Sequence, residues 1–191
     1  MARPKSEEKR LQLLHAAAEA VAQRGVGAPT AMISAMAGVA EGTLFRYFPT
    51  KEALLNELYL HLFGHMCAAL AEALDPSQPL VQRARQQWNA YIDWGLAHPS
   101  WIRAINQLAV TDILTPQTRA AELSLFPDLG LVEATSMNSG LFQGLHPAFD
   151  DAIIIAIADA TLDFATREPA RAAEYKLSGF NAYARIFLPP S

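Results

Sequence analysis

Between Thr30 and Lys51 the chain reads TAMISAMAGVAEGTLFRYFPTK, and no other stretch limits its fold so sharply. Ile33, Met36 and Ala37 keep helical spacing until Gly38 interrupts them. A second short helical segment, about 41–47, sets Leu44 four residues before Phe48. Residues four apart share a helix face, so Leu44 and Phe48 turn together toward Ile33, Ala37 and Val39. The spacing predicts two short helices joined by a tight turn at Gly38-Val39, with those five residues as the core of a helix-turn-helix.

Phe45, Arg46 and Tyr47 then lie off the inner face, together with Gly42 and Thr43. Packing against the rest of the chain could absorb one of these aromatics, but hardly the whole set. A helix pressed into a DNA major groove uses all of them. A ring can touch a thymine methyl, Arg can fork onto guanine or a phosphate, and Tyr and Thr hydroxyls can reach phosphate oxygens. Gly42 lets the backbone come close. Thr30, as cap of the preceding helix, and Lys51, at the start of the following one, stand where free N–H groups attract anions.

Charge supports the division. Residues 1–51 carry seven Lys/Arg against four acids, while the whole 191-residue chain has a net charge of −4. A basic head on an acidic body implies that only the head meets a polyanion. Lys5, Lys9 and Arg10 could add phosphate contacts or simply form a solvated helix start.

The rest of the chain reads as helix throughout, with no period-two alternation and no hairpin signal. A first helix over about 6–24 opens at the capping residue Ser6 and closes at Gly25. Later helices are expected at about 51–74, 78–97, 100–111, 116–125, 128–144, 147–167 and 169–187, punctuated by Pro76, Pro99, Pro116, Pro147 and Pro169. The expected fold class is all-α: an N-terminal three-helix helix-turn-helix domain at 1–51 and a larger helical domain at 52–191, roughly nine or ten helices in all. The boundary falls at the helix that Lys51 begins. No apolar run is long enough to span a bilayer, no signal-peptide pattern leads the chain, and its one cysteine, Cys67, fits a reducing compartment; the cytoplasm is the expected location.

The residues from Thr30 to Leu54 resemble the DNA-binding signature of the TetR/AcrR family of bacterial transcriptional regulators: Thr30 and Ile33, Ala37-Gly38-Val39, Gly42-Thr43-Leu44-Phe45, Tyr47-Phe48, then Lys51-Glu52 and Leu54. The resemblance implies that Thr30, Thr43, Tyr47 and Lys51 hold phosphates, and that Gly42, Phe45 and Arg46 lie nearest the bases. It also implies a homodimer that represses by binding a pseudopalindromic operator in double-stranded DNA and lets go when a small molecule enters the larger domain. Two positions depart from the family pattern: Phe45 stands where Tyr is usual, and Glu41 where a polar or basic residue is common.

The larger domain has no dense motif. Trp88, Tyr91 and Trp94 recur at spacings of three, and with Asn106 they are candidates for an apolar pocket with a few polar groups. An aromatic stripe at helical spacing is also what an ordinary core uses. With no basic cluster, the expected effector is neutral or cationic and apolar. The last two helices are apolar on more than one face, which implies a second covering layer; Ile154, Ile157, Tyr175, Phe180 and Tyr183 are expected at the interface of a two-fold dimer.

No catalytic constellation assembles, so no enzyme is expected, and no cofactor. His61 and His65 have metal-ligand spacing, but the Glu of an HExxH pair is missing and position 62 is Leu, so no metal is expected. The competing reading is a helical protein-interaction module that does not bind DNA.

Overall fold

The computed structural model describes residues 6–125 and 147–188. They form nine α-helices and one 3₁₀ turn, with no strand among the described residues. In chain order these are α1 (Glu7–Arg24), α2 (Thr30–Met36), α3 (Glu41–Tyr47), α4 (Lys51–Glu72), α5 (Leu80–Ala97), α6 (Pro99–Ala109), α7 (Pro116–Ser124), α8 (Pro147–Arg167), the 3₁₀ turn Pro169–Arg171 and α9 (Ala172–Phe187). The helix expected at 128–144 lies outside the described residues. No helix among them is long and apolar enough to cross a membrane.

Several ends follow the predicted chemistry. Gly25, at φ 73, closes α1, and its N–H bonds back to the Val21 carbonyl. Thr115 caps α7 by accepting from the Thr118 N–H, with Pro116 at the first helical position. Two ends differ. Thr30 is not a cap but the first residue of α2; extended Pro29 holds the cap position, and the Thr30 hydroxyl goes elsewhere. The expected helix from Pro169 begins as a 3₁₀ turn, and α-helical geometry starts only at Ala172.

Packing divides the chain into two compact units: Met1–His65 with His98–Leu125, and Met66–Ala97 with Phe126–Ser191. This is a different cut from the one expected at 51/52. The reason is that α6 returns to pack on α1, and Asn56 on α4 bonds residues 113–118, so the N-terminal helices share one core with that later segment. Leu13, Leu14, Ala17 and Val21 of α1, Ile33 of α2, Leu44 of α3 and Leu54, Leu55 and Leu58 of α4 are buried in it. At about 25 cal/mol for each Å² of apolar surface removed from water, such a cluster is enough to order three short helices that would be unstable alone.

In the second unit α8 and α9 pack on each other and both pack on α5. Gly95 of α5 and Gly179 of α9 sit at close approaches, to Leu162 and to Thr161 and Trp88 respectively. The Trp88 indole N–H donates to the Lys176 carbonyl at 3.0 Å, and the Lys176 ammonium bonds both carboxylate oxygens of Asp93. These contacts fasten α9 to α5.

Candidate nucleic-acid interface

The turn between α2 and α3 is built from two backbone bonds. The Gly38 N–H donates to the Ala35 carbonyl at 3.1 Å, and the Val39 N–H reaches back to the Ser34 carbonyl at 2.9 Å. This is the 5→2 and 6→1 pattern of a Schellman stop, and it puts Gly38 at φ 66, in the left-handed region that favours glycine. The helix therefore ends within two residues, and α3 can start again at Glu41.

Ile33 and Leu44 are fully buried and Phe48 nearly so, as the four-residue spacing requires. Ala37 and Val39, expected in the same core, are only half-buried because they form the turn itself. On the other side of α3, Arg46, Gly42 and Glu41 are exposed, and Phe45 keeps 43% of its surface in water. Met36 of α2 is equally exposed at 43%. Thr43, Tyr47, Thr30 and Lys51 are half-buried.

A Cβ built on Gly42 would meet nothing within 4 Å. Its backbone is ordinary helix, so nothing in the folded chain calls for glycine there. A Cβ at Gly42 would therefore cost the protein nothing.

Two hydrogen bonds at this face are not visible in the spacing. The Ser6 N–H donates to Tyr47 Oη at 3.0 Å, tying the start of α1 to the end of α3. Ser6 does hold the cap position of α1, but its side chain makes no capping bond. The Thr30 hydroxyl donates to Glu41 Oε1 at 2.5 Å and links the first residues of α2 and α3. Thr50, just before α4, accepts from the Ala53 N–H and is the cap there, which leaves the Lys51 side chain uninvolved in capping. Lys5 lies outside the described residues. Arg10 pairs with both Glu7 and Glu57, so its guanidinium is committed within the chain.

The first unit also holds an aromatic cluster the sequence did not announce. His15, His61, His65 and His98 all lie against Trp101, with ring centroids 4.8 to 6.0 Å from it, and His98 is stacked on the indole. Burial, and then the neighbouring His15, His65 and Arg10, push the His61 pKa down, against a smaller upward pull from Glu7. His98 is pushed down by burial and by His65. No group of three or more His, Cys, Asp or Glu among the described residues is placed to hold a metal ion.

The second unit contains two apolar hollows. A cavity of about 170 Å³ is lined by Trp88, Tyr91, Tyr183, Gln87 and aliphatic residues of α4, α5 and α8. It brings together two of the four residues expected in a pocket. Trp94 is buried but is not among the described lining residues, and Asn106 sits on α6 in the first unit. An open groove of about 500 Å³ runs between α8 and α9, with Ile157, Phe164, Tyr175 and Ile186 in its wall. Of the residues expected at a dimer interface, Ile157 and Tyr175 line this groove, while half-buried Ile154 faces the cavity. Phe180 and Tyr183 must be reassigned. Both are buried inside the single chain, Tyr183 stacked on Trp88 at 5.7 Å and Phe180 under the Arg85 guanidinium at 4.5 Å, so they offer little surface to a partner. Exposed apolar surface on these helices comes instead from Phe149, Ile155, Phe164 and Leu177.

Comparison with known proteins agrees with this geometry. Residues 13–58 match the family model described as bacterial regulatory proteins, tetR family. The HTH-type transcriptional regulator BetI of Pseudomonas aeruginosa is 42% identical over 65 residues, which cover 34% of this chain and 33% of that protein. YhgD of Bacillus subtilis, an uncharacterized HTH-type transcriptional regulator, is 25% identical over 122 residues, 60% of this chain and 64% of that one. The matches thus span less than two thirds of these relatives. A crystal structure of a tetR-family transcription regulator from Shewanella sp. PV-4 shares the fold, with a TM-score of 0.73 and 24% identity over 92% of this chain and 95% of that one. The helix-turn-helix at the head of the chain, residues 13–58, is thus of the tetR-family type.

Proposed function

We propose that this protein is a transcriptional regulator of the bacterial cytoplasm that binds double-stranded operator DNA through α3. The single observation that carries the reading is the outward set on that helix: Phe45 and Arg46 exposed beside a Gly42 that the fold itself does not need. In this reading Gly42, Phe45 and Arg46 approach base edges, while Thr30, Thr43, Tyr47 and Lys51 hold the phosphates on either side. Tyr47 Oη accepts from Ser6 and keeps its own hydrogen to donate to a phosphate. Thr30 spends its hydroxyl hydrogen on Glu41, so its phosphate contact requires that bond to open.

The protein acts as a homodimer whose two α3 helices read half-sites of a pseudopalindrome about one helical turn, or a multiple of it, apart. The groove between α8 and α9, with exposed Phe164 and Leu177 nearby, supports a two-fold contact through those helices. It represses, and it releases DNA when a small apolar ligand occupies the C-terminal unit, which the cavity beside Trp88 and Tyr91 supports.

Titration with duplexes selected from a random pool, at two salt concentrations, tests the reading. Specific binding falls steeply with salt. Arg46→Ala weakens it at least several-fold and leaves the melting temperature unchanged, because Arg46 is exposed. A duplex affinity and salt slope indifferent to that substitution would favour the competing protein-interaction module.

A further inference from the structure

The cavity of the second unit has a definite size and a definite polarity. Its volume is about 170 Å³. An engineered apolar cavity of about 150 Å³ takes up benzene, so this space holds one six-membered ring and a small substituent, and no fused-ring system or long acyl chain. The described lining combines the aromatic residues Trp88, Tyr91 and Tyr183 with aliphatic ones, and contains no Lys, Arg, Asp or Glu.

Two polar groups in that lining have no hydrogen-bond partner among the described residues. Gln87 Nε2 is buried and unpartnered. The Tyr91 hydroxyl makes no hydrogen bond among the described residues, and burial, followed by the charge of Asp159, pushes its pKa up, so it stays a neutral donor. Another polar group of the lining, the Trp88 indole N–H, is already spent on the Lys176 carbonyl. A buried donor is normally satisfied, so Gln87 Nε2, with the half-buried Tyr91 residue lining the same cavity, calls for an acceptor there.

We propose that this cavity binds a small neutral molecule with a single ring and one hydrogen-bond acceptor, a ketone or ester oxygen, which accepts from Gln87 Nε2 and the Tyr91 hydroxyl. A carboxylate or an ammonium would be stripped of water with no opposite charge among the described lining residues to compensate it, and is rejected. The aromatic wall supplies ring contact, and the two donors fix which end of the ligand points in. The inference rests on the reading of the C-terminal unit as the sensor.

The test uses the whole chain, thermal shift and tryptophan fluorescence, and four probes of like size: acetophenone, ethylbenzene, benzoate and benzylammonium. Acetophenone is expected to raise the melting temperature and to change the emission of Trp88. Ethylbenzene, which lacks the acceptor, binds roughly 3- to 10-fold more weakly, and the two ions do not bind. Gln87→Leu, which keeps the bulk and removes the amide, erases the preference for acetophenone but keeps ethylbenzene binding. Tyr91→Phe does the same in part, and serves if the first variant fails to fold. Acetophenone that fails to bind, or binds no better than ethylbenzene or benzoate, overturns the assignment. If a larger or charged compound binds in its place, this inference falls and the sensor reading stands. If acetophenone binds but leaves the DNA complex intact, the inference stands and the sensor reading falls.

Discussion

The backbone N–H of Ser6 donates to Tyr47 Oη at 3.0 Å, across 41 residues of sequence, so the last residue of α3 is held by the residue just before α1. The bond is exposed and contributes little to folding, on the order of 1 kcal/mol or less. Tyr47→Phe therefore shifts the melting temperature only slightly. It removes both the anchor of α3 and the hydroxyl offered to a phosphate, and duplex affinity is expected to fall about 3- to 10-fold. Calorimetric melting and DNA titration on the same sample check both halves.

Gly42 gives the sharpest separation of stability from binding. Alanine there meets no atom of the chain within 4 Å and has the higher helix propensity, so Gly42→Ala is expected to stabilise the free protein by roughly 0.5–1 kcal/mol. On the proposed reading the same methyl group stands on the DNA-facing side of α3 and weakens duplex binding. A more stable variant that binds DNA as well as the parent would remove Gly42 from the contact surface.

Gly179 is the opposite case. A Cβ there would fall well inside contact distance of Thr161 Oγ1 and 2.7 Å from Trp88 Cζ2. Neither neighbour is free to give way: Thr161 donates to the Ile157 carbonyl at 2.8 Å, and Trp88 to the Lys176 carbonyl at 3.0 Å. Gly179→Ala should cost about 1–3 kcal/mol in chemical denaturation, and adding Thr161→Ala should restore only part of it because the indole contact remains.

The histidine cluster sets the acid side of stability. The His61 pKa lies below its ordinary 6.5 in the fold, through burial and through His15, His65 and Arg10, so the unfolded chain takes up the proton first. Its contribution is fully present above pH 6.5 and is lost as the pH falls through the lowered value; His98 shifts the same way. Melting temperature measured between pH 7.5 and 5 should fall on the acid side, and His61→Leu should flatten that fall. A profile unchanged by the substitution would clear His61 of the effect.

Local chemistry made most of the helices readable. Gly25, Gly38 and the prolines at 99, 116 and 147 end or start helices where their backbone preferences say they must, and the Leu44–Phe48 spacing names the inner face of α3. What the sequence concealed depends on contacts between distant residues. His15, His61, His65 and His98 come from two helices and a loop, and nothing in their spacing gathers them on Trp101. Phe180 and Tyr183 look like interface residues because α9 is apolar on more than one face, yet α5 supplies their cover through Trp88 and Arg85. Thr30 looks like a cap, but Pro29 already holds the extended geometry, so its hydroxyl is free to reach Glu41.

Asn56 fills its whole bonding capacity within the first unit. Its Nδ2 donates to the carbonyls of Glu52 and Ile113, and its Oδ1 accepts from the Thr115 N–H and the Thr118 hydroxyl, at 2.6–2.9 Å throughout. One carboxamide thus rivets the opening turns of α4 to the head of α7. A tug on residues 113–118 is felt five residues from Lys51, and a protein that needed to loosen its grip on a duplex would have in that amide a ready-made lever.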